Sequence, residues 1–159
     1  MADDLRGQQE EGGSGNGGCV FCAIVAGRAP ASVLYDDDHV LAFLDIRPIT
    51  PGHLLVIPKR HAPYLADLDE ATGERMYRVA TRLAQAVRAS GLRCEGVNLF
   101  LADGEAAGQE VFHVHLHVFP RFAGDQVRID GDWSSHPTRA ELDATATELR
   151  TAYGAVWEP

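Results

Sequence analysis

The run His113-Val114-His115-Leu116-His117-Val118-Phe119, closed by Pro120, constrains this chain more than any other stretch. Side chains of an extended strand point alternately to its two faces. A strand over 111–119 therefore puts the three histidines on one face. Val114, Leu116 and Val118 share the other, which packs into a core. Pro120 offers no N–H and ends the strand. Three imidazoles in a row gain nothing as packing, and only seven histidines occur in 159 residues.

Two kinds of chemistry use such a face. His-x-His on a strand binds a catalytic zinc and leaves a coordination position for water. Alternatively, one imidazole is a nucleophile, and its neighbours hold its tautomer, its charge and the leaving group. The preceding Ala107-Gly108-Gln109 is small, small, then an amide. Such a loop lets backbone N–H groups come close to an anion, and Gln109 can donate to an oxygen. A phosphoryl group beside three histidines fits this loop better than a bare metal hydroxide.

Composition narrows the class. Hydrophobic residues make up 45% and charged residues 23%, ordinary globular usage with enough chain for a sizeable core. The formal net charge of −9 argues against a general nucleic-acid or anionic-membrane binder. It permits a small anionic ligand in a locally positive pocket. No apolar run approaches the ~20 residues that span a bilayer. Residues 1–18 carry six glycines, and four acids against Arg6. They read as a disordered acidic tail without the apolar core of a secretory signal, so a cytoplasmic protein is expected. Three cysteines make a poor disulfide framework; Cys19-x-x-Cys22 points to metal or redox chemistry, and Cys94 to a small core residue.

The periodicity predicts an α+β fold, with residues 19–159 as one domain. A short helix covers Cys19–Val25, with Gly27 as its end. Strands cover Val40–Asp45 and His53–Ile57, joined by a Pro48, Pro51-Gly52 turn. Asp69 caps a long helix over Glu70–Ser90, with Met76, Val79, Leu83 and Val87 on one face and Gly91 as its stop. Strands at Gly96–Ala102 and 111–119 flank a polar loop from Asp103-Gly104 to Gln109. Thr138 and Glu141 form a capping box for a last helix over Arg139–Tyr153.

The histidine strand, the upstream Asp103–Gln109 loop, Leu44-Asp45-Ile46-Arg47-Pro48, Pro51-Gly52-His53 and Val56-Ile57-Pro58-Lys59 together resemble the histidine triad family over roughly residues 19–122. The resemblance implies that family's fold: an antiparallel sheet of about five strands, one long helix, a short N-terminal helix and a C-terminal helix. It also implies a nucleoside-phosphate hydrolase or transferase, forming a homodimer. His115 would attack the α-phosphorus and carry a nucleotidyl group. His117 and His113 would hold neighbouring oxygens and the leaving group, with His117 as a proton donor, and His53 would face the triad. Gln109 is carried over with the catalytic set.

Asp45 would accept both ribose hydroxyls. The positions matching the family's apolar pocket for a purine base are Val20, Phe21, Ile24, Phe43 and Ile46. Gly108, Glu110 and Val111 complete the substrate contacts. Glu110 stands where many members carry a hydroxyl residue. A carboxylate there repels phosphate unless its side chain turns away, so only its backbone N–H is expected to serve. Ala102 replaces a polar amide of some dinucleotide-cleaving relatives. In one branch of the family, residues matching Cys19, Cys22, His61 and His113 bind a structural zinc. Two other readings stand beside this one: a nucleotide-binding regulatory module with little catalysis, and a zinc hydrolase using His113, His115 and His117 as ligands.

Overall fold

The computed structural model describes residues 18–156; the expected tail, apart from Gly18, lies outside the described residues. The elements are α1 (Val20–Val25), β1 (Val33–Asp36), β2 (Val40–Leu44), β3 (Leu54–Pro58), α2 (Glu70–Ala89), β4 (Gly96–Phe100), β5 (Leu116–Arg121) and α3 (Arg139–Val156). Single 3-10 turns lie at Leu65–Asp67 and Glu105–Ala107. The five strands form one antiparallel sheet in the order β1-β2-β3-β5-β4. The chain divides after Val127 into two compact units.

Side-chain alternation builds a layer on each face of the sheet. Val40 and Ala42 of β2, Leu54 and Val56 of β3, and Val118 of β5 pack with Val114 and with Met76, Val79, Ala80 and Val87 of α2. On the opposite face Leu41, Phe43, Leu55 and Ile57 pack against Phe21 of α1. β2 and β3 are thus covered on both sides, which is why they read as continuous apolar runs rather than alternating ones. Asp69 caps α2 by accepting from the Thr72 N–H at 2.9 Å. The helix stops at Ser90, whose backbone is extended and whose hydroxyl donates to the Val87 carbonyl. Ser90, not Gly91, therefore supplies the stop.

The structure moves other boundaries. β1 has no counterpart among the expected strands, because three of its four residues are exposed and carry no clean alternation. β4 ends at Phe100 rather than Ala102. Regular pairing in the histidine run begins only at Leu116 and continues to Arg121, so Pro120 does not end the strand but pairs with Val97 of β4 inside it. Before it, the His113 N–H bonds to the Val111 carbonyl and the Val114 N–H to the Ala62 carbonyl, so this segment is tied to the chain beyond β3 instead of extending the ladder. The facing of its side chains is nevertheless as expected: Val114, Leu116 and Val118 meet the α2 layer.

Two turns set the frame of the site. Between β2 and β3, the His53 N–H donates to the Thr50 carbonyl across Pro51-Gly52. Gly52 has φ +94°, and a Cβ there would lie 2.7 Å from Leu92 Cδ1. The Thr50 hydroxyl donates to the Pro120 carbonyl and pins this turn to β5. Between β1 and β2, Asp37 accepts from the His39 and Val40 N–H groups and from Tyr35, and pairs with Arg75 of α2. The second unit holds α3, where Thr138 and Glu141 form the expected capping box. None of the α3 side chains is buried.

Burial alone would raise the Asp37 carboxyl, but the Val40 and His39 N–H groups, Tyr35 and Arg75 outweigh it and hold it well below the usual carboxylate range. Such a group stabilises the fold above its unfolded pKa, and the contribution is lost as pH falls through the folded value. Asp37→Asn is expected to cost about 1–3 kcal/mol near neutral pH, read as a lower urea midpoint with unchanged slope.

Candidate functional site

The face opposite α2 carries the histidines, and backbone groups fix their tautomers. The His115 ring is buried, and its Nδ1 donates to the His113 carbonyl at 2.8 Å. That leaves the lone pair on Nε2. The His115 ring lies edge-to-face with Phe21 at 5.3 Å and with His117 at 4.8 Å. His53 is 2% exposed and accepts the Ile49 N–H at Nδ1, 3.1 Å away. Its own proton therefore sits on Nε2, which donates to His117 Nδ1 at 2.9 Å. The N–H of neutral His117 is in turn on its Nε2. One chain of donors thus runs from Ile49 through His53 to His117.

Burial, then the neighbouring His115 and His53, lower the His117 pKa to about 4. Burial also lowers that of His53, with Asp45 pulling the other way and His115 adding to the fall. Both are neutral near pH 7. Asp45 Oδ2 lies 3.6 Å from His53 Nδ1, and its Oδ1 accepts the Arg47 N–H at 2.8 Å. Asp45, His53 and His117 form one cluster.

A second cluster lies on the other side of His115. One ligand atom each from Cys19, Cys22, His61 and His113 gather within 4.8 Å of one another. His61 Nδ1 is 3.2 Å from His113 Nδ1, and Cys22 Sγ is 3.3 Å from His61 Nδ1 and 3.6 Å from His113 Nδ1. Cys19 Sγ is 3.4 Å from His113 Nδ1. A tetrahedron with Zn–N near 2.0–2.1 Å and Zn–S near 2.3 Å has edges of about 3.3–3.8 Å, so these separations fit a four-coordinate ion. The other His113 nitrogen, Nε2, donates to the Pro58 carbonyl at 2.8 Å, which turns the Nδ1 lone pair into the cluster. Burial, then the adjacent Cys19, pushes the Cys22 thiol up to about 11. A dication reverses that by favouring thiolate. The residues present fit such an ion.

These contacts redistribute several expected roles. His113 faces the thiols and His117 faces His53, so among the described residues the three histidines do not converge as one ligand set. That geometry speaks against zinc hydrolysis on His113, His115 and His117. The Gln109 amide is buried and occupied: its nitrogen donates to the Pro63 and Val111 carbonyls, and its oxygen accepts the Gly104 N–H. In this structure it braces the loop rather than facing a ligand. The N–H groups of Ala107, Gly108 and Gln109 close the 3-10 turn on Gly104 and Glu105, leaving the Glu110 N–H outside it. The Glu110 side chain turns to solvent and pairs with Arg47 at 3.1 Å.

Of the apolar positions, Phe21, Phe43, Ile24 and Val111 gather in one cluster. Ile46 is 91% exposed and Val20 49% exposed, so neither packs with them. Sequence reasoning missed the roles of Ile49 and Pro58. Each acts through its main chain, which residue identity does not disclose.

An open antiparallel sheet with a buried imidazole flanked by a histidine pair and a Cys₂His₂ cluster defines the class. The HIT domain family model matches residues 26–124, and the chain belongs to the histidine triad family. It is 46% identical to a crystal structure described as a Zn-bound histidine triad family protein from Mycobacterium smegmatis, with a TM-score of 0.68 covering 87% of this chain and 99% of that one. A histidine triad nucleotide-binding protein from Candida albicans matches at TM-score 0.78 and 27% identity, covering 87% and 99%. Adenylylsulfatase HINT3 of Arabidopsis thaliana is 37% identical over 135 residues, 82% of this chain and 65% of that protein. No helix among the described residues is long and apolar enough to cross a membrane.

The depressed imidazoles set a pH dependence. The unfolded chain binds protons at His53 and His117 near the ordinary histidine value, while the folded state resists them. Stability is therefore fully present above that value and falls as pH drops from about 6.5 toward 4. Urea titrations at pH 7.5, 6 and 5 are expected to give decreasing midpoints, and His117→Asn is expected to flatten that decrease.

Proposed function

We propose that this protein is a nucleoside-phosphate hydrolase or nucleotidyl transferase acting at an α-phosphorus through a covalent intermediate on His115. The observation that carries the reading is the His115 Nδ1–H bond to the His113 carbonyl, which leaves Nε2 as a buried nucleophile. Nε2 forms a bond to phosphorus as the bond to the leaving group breaks. With substrate bound, the charge of the phosphate favours a protonated His53–His117 pair, and the Nε2–H of the His117 imidazolium supplies the proton that the leaving nitrogen or oxygen takes up, which returns the pair to its neutral form. Water or another acceptor attacks the phosphorus next, the P–N bond breaks, and the acceptor's proton returns to the histidine pair.

Asp45 would accept the ribose hydroxyls. Ile24, Phe43 and Val111, with the edge of Phe21, would take a purine base. The Glu110 N–H is the group left to meet a phosphate oxygen. Cys19, Cys22, His61 and His113 would hold a structural zinc, which when bound neutralises two thiolates and fastens α1 to the histidine segment. No step of the chemistry runs through it. Homodimer formation and a cytoplasmic location belong to the same reading; the open edge at β4, with Phe100 half exposed, offers the pairing surface.

Acid-quenched intact-mass spectrometry after brief mixing with adenosine 5′-phosphoramidate tests the intermediate. Wild type is expected to gain one nucleotidyl group transiently. His115→Ala is expected to gain none and to lose turnover by at least about 10³-fold. Turnover with no adduct would favour direct attack by water. Nucleotide binding with neither adduct nor turnover would favour the regulatory module. Separately, Cys22→Ser is expected to lower bound zinc below one per chain and to lower the melting temperature, measured by elemental analysis and calorimetry.

A further inference from the structure

A carboxylate next to a phosphate site needs an explanation, and the structure supplies one. Glu110 precedes Val111, which packs on the Phe21 and Phe43 cluster beside His115. Arg47 follows Asp45, whose carboxylate takes the Arg47 N–H and borders His53. The Arg47–Glu110 ion pair therefore ties the two sides of the histidine face together across 63 residues of sequence. Its side chains are 82% and 79% exposed, so solvent screens the pair and a competing anion can displace the carboxylate.

The charges of the site make this pair selective. The two imidazoles flanking Asp45 are held neutral, so they bring no positive charge to its carboxyl group. Arg47 is the cation among these residues, and Glu110 holds it. A leaving group that carries further phosphates would add negative charge to a rim that already holds Asp45 and Glu110, with the compensating Arg47 engaged. Amine leaving groups bring no such cost.

Resting on the nucleotide reading above, we propose that Arg47 and Glu110 form a charge filter at the rim of the site. The pair sets discrimination between substrates whose leaving group adds negative charge and those whose leaving group is an amine. Glu110 is the discriminating residue. Arg47 is the group that an extra phosphate would recruit when Glu110 releases it.

The test measures the affinities of the zinc-loaded full chain for AMP and ATP by calorimetry. Wild type, Glu110→Gln, Arg47→Gln and the double variant are compared. Glu110→Gln is expected to raise the ATP-to-AMP affinity ratio by roughly three- to tenfold, and Arg47→Gln to lower it by a similar factor. The double variant restores local neutrality and is expected to return the ratio to within about twofold of wild type. The shifts are expected to shrink in 0.5 M salt. The ratio of kcat/KM for a dinucleoside triphosphate to that for a phosphoramidate is expected to move in the same directions. An unchanged ratio in both single variants, or a shift of both in one direction, overturns the filter while leaving the nucleotide reading intact. A wild type that binds neither nucleotide overturns both.

Discussion

The structure hangs on His113, whose four polar groups are all engaged at once. Its Nε2 donates to the Pro58 carbonyl, its Nδ1 faces Cys19, Cys22 and His61, its N–H bonds to Val111, and its carbonyl holds His115 Nδ1. A wholly buried imidazole is tolerated only with both nitrogens engaged, and here one meets a carbonyl and the other the cluster. The same residue that closes the Cys₂His₂ cluster therefore sets the tautomer of its neighbour on the chain. A shift of its backbone would be felt at His115 Nε2 without any intervening side chain.

Phe21 makes a second connection between the clusters. It sits between the two cysteines in sequence, and its ring touches His113, His115 and Phe43 edge-to-face. Being 7% exposed, it is a packing hub first and a wall of a ligand pocket only at its edge. Anchoring α1 through the cysteines thus fixes the ring that lies against His115. Stability of the helix and placement of the imidazole have one cause, and tertiary packing supplies it, because six residues are too few to hold a helix alone.

Much of this was legible because chemistry and periodicity coincide. Alternation in His113–Phe119 correctly assigned Val114, Leu116 and Val118 to the core, and the spacing of Cys19 and Cys22 brings two thiols into one cluster with His61 and His113. The Asp69 cap and the Pro51-Gly52 turn follow from local rules and appear where expected. What escaped depends on long-range main-chain bonds. The Val114–Ala62 bond delays the strand to Leu116, and the Gln109 amide is drawn inward by Pro63, 46 residues away. Ile46 was grouped with the apolar pocket by its match to the family's position; it stands on the surface of a loop, where periodicity gives no orientation.

Under the proposed nucleotide function, the electrostatics would let an acidic chain accept an anion without a basic pocket. The imidazole pair is neutral because burial taxes its charge, and His53 and His117 share protons through one hydrogen bond. On the proposed reading, a phosphate entering the site would bring the counter-charge that burial withholds, since an adjacent anion raises an imidazole's pKa. The proton that a leaving group requires would thus become available when substrate supplies the field. Permanent cations would hold phosphate tightly in the ground state, whereas neutral donors that charge only in its presence favour the state in which charge develops. Arg47 stands outside that economy, tied to Glu110 at the exposed rim, where it can screen what approaches without fixing what reacts.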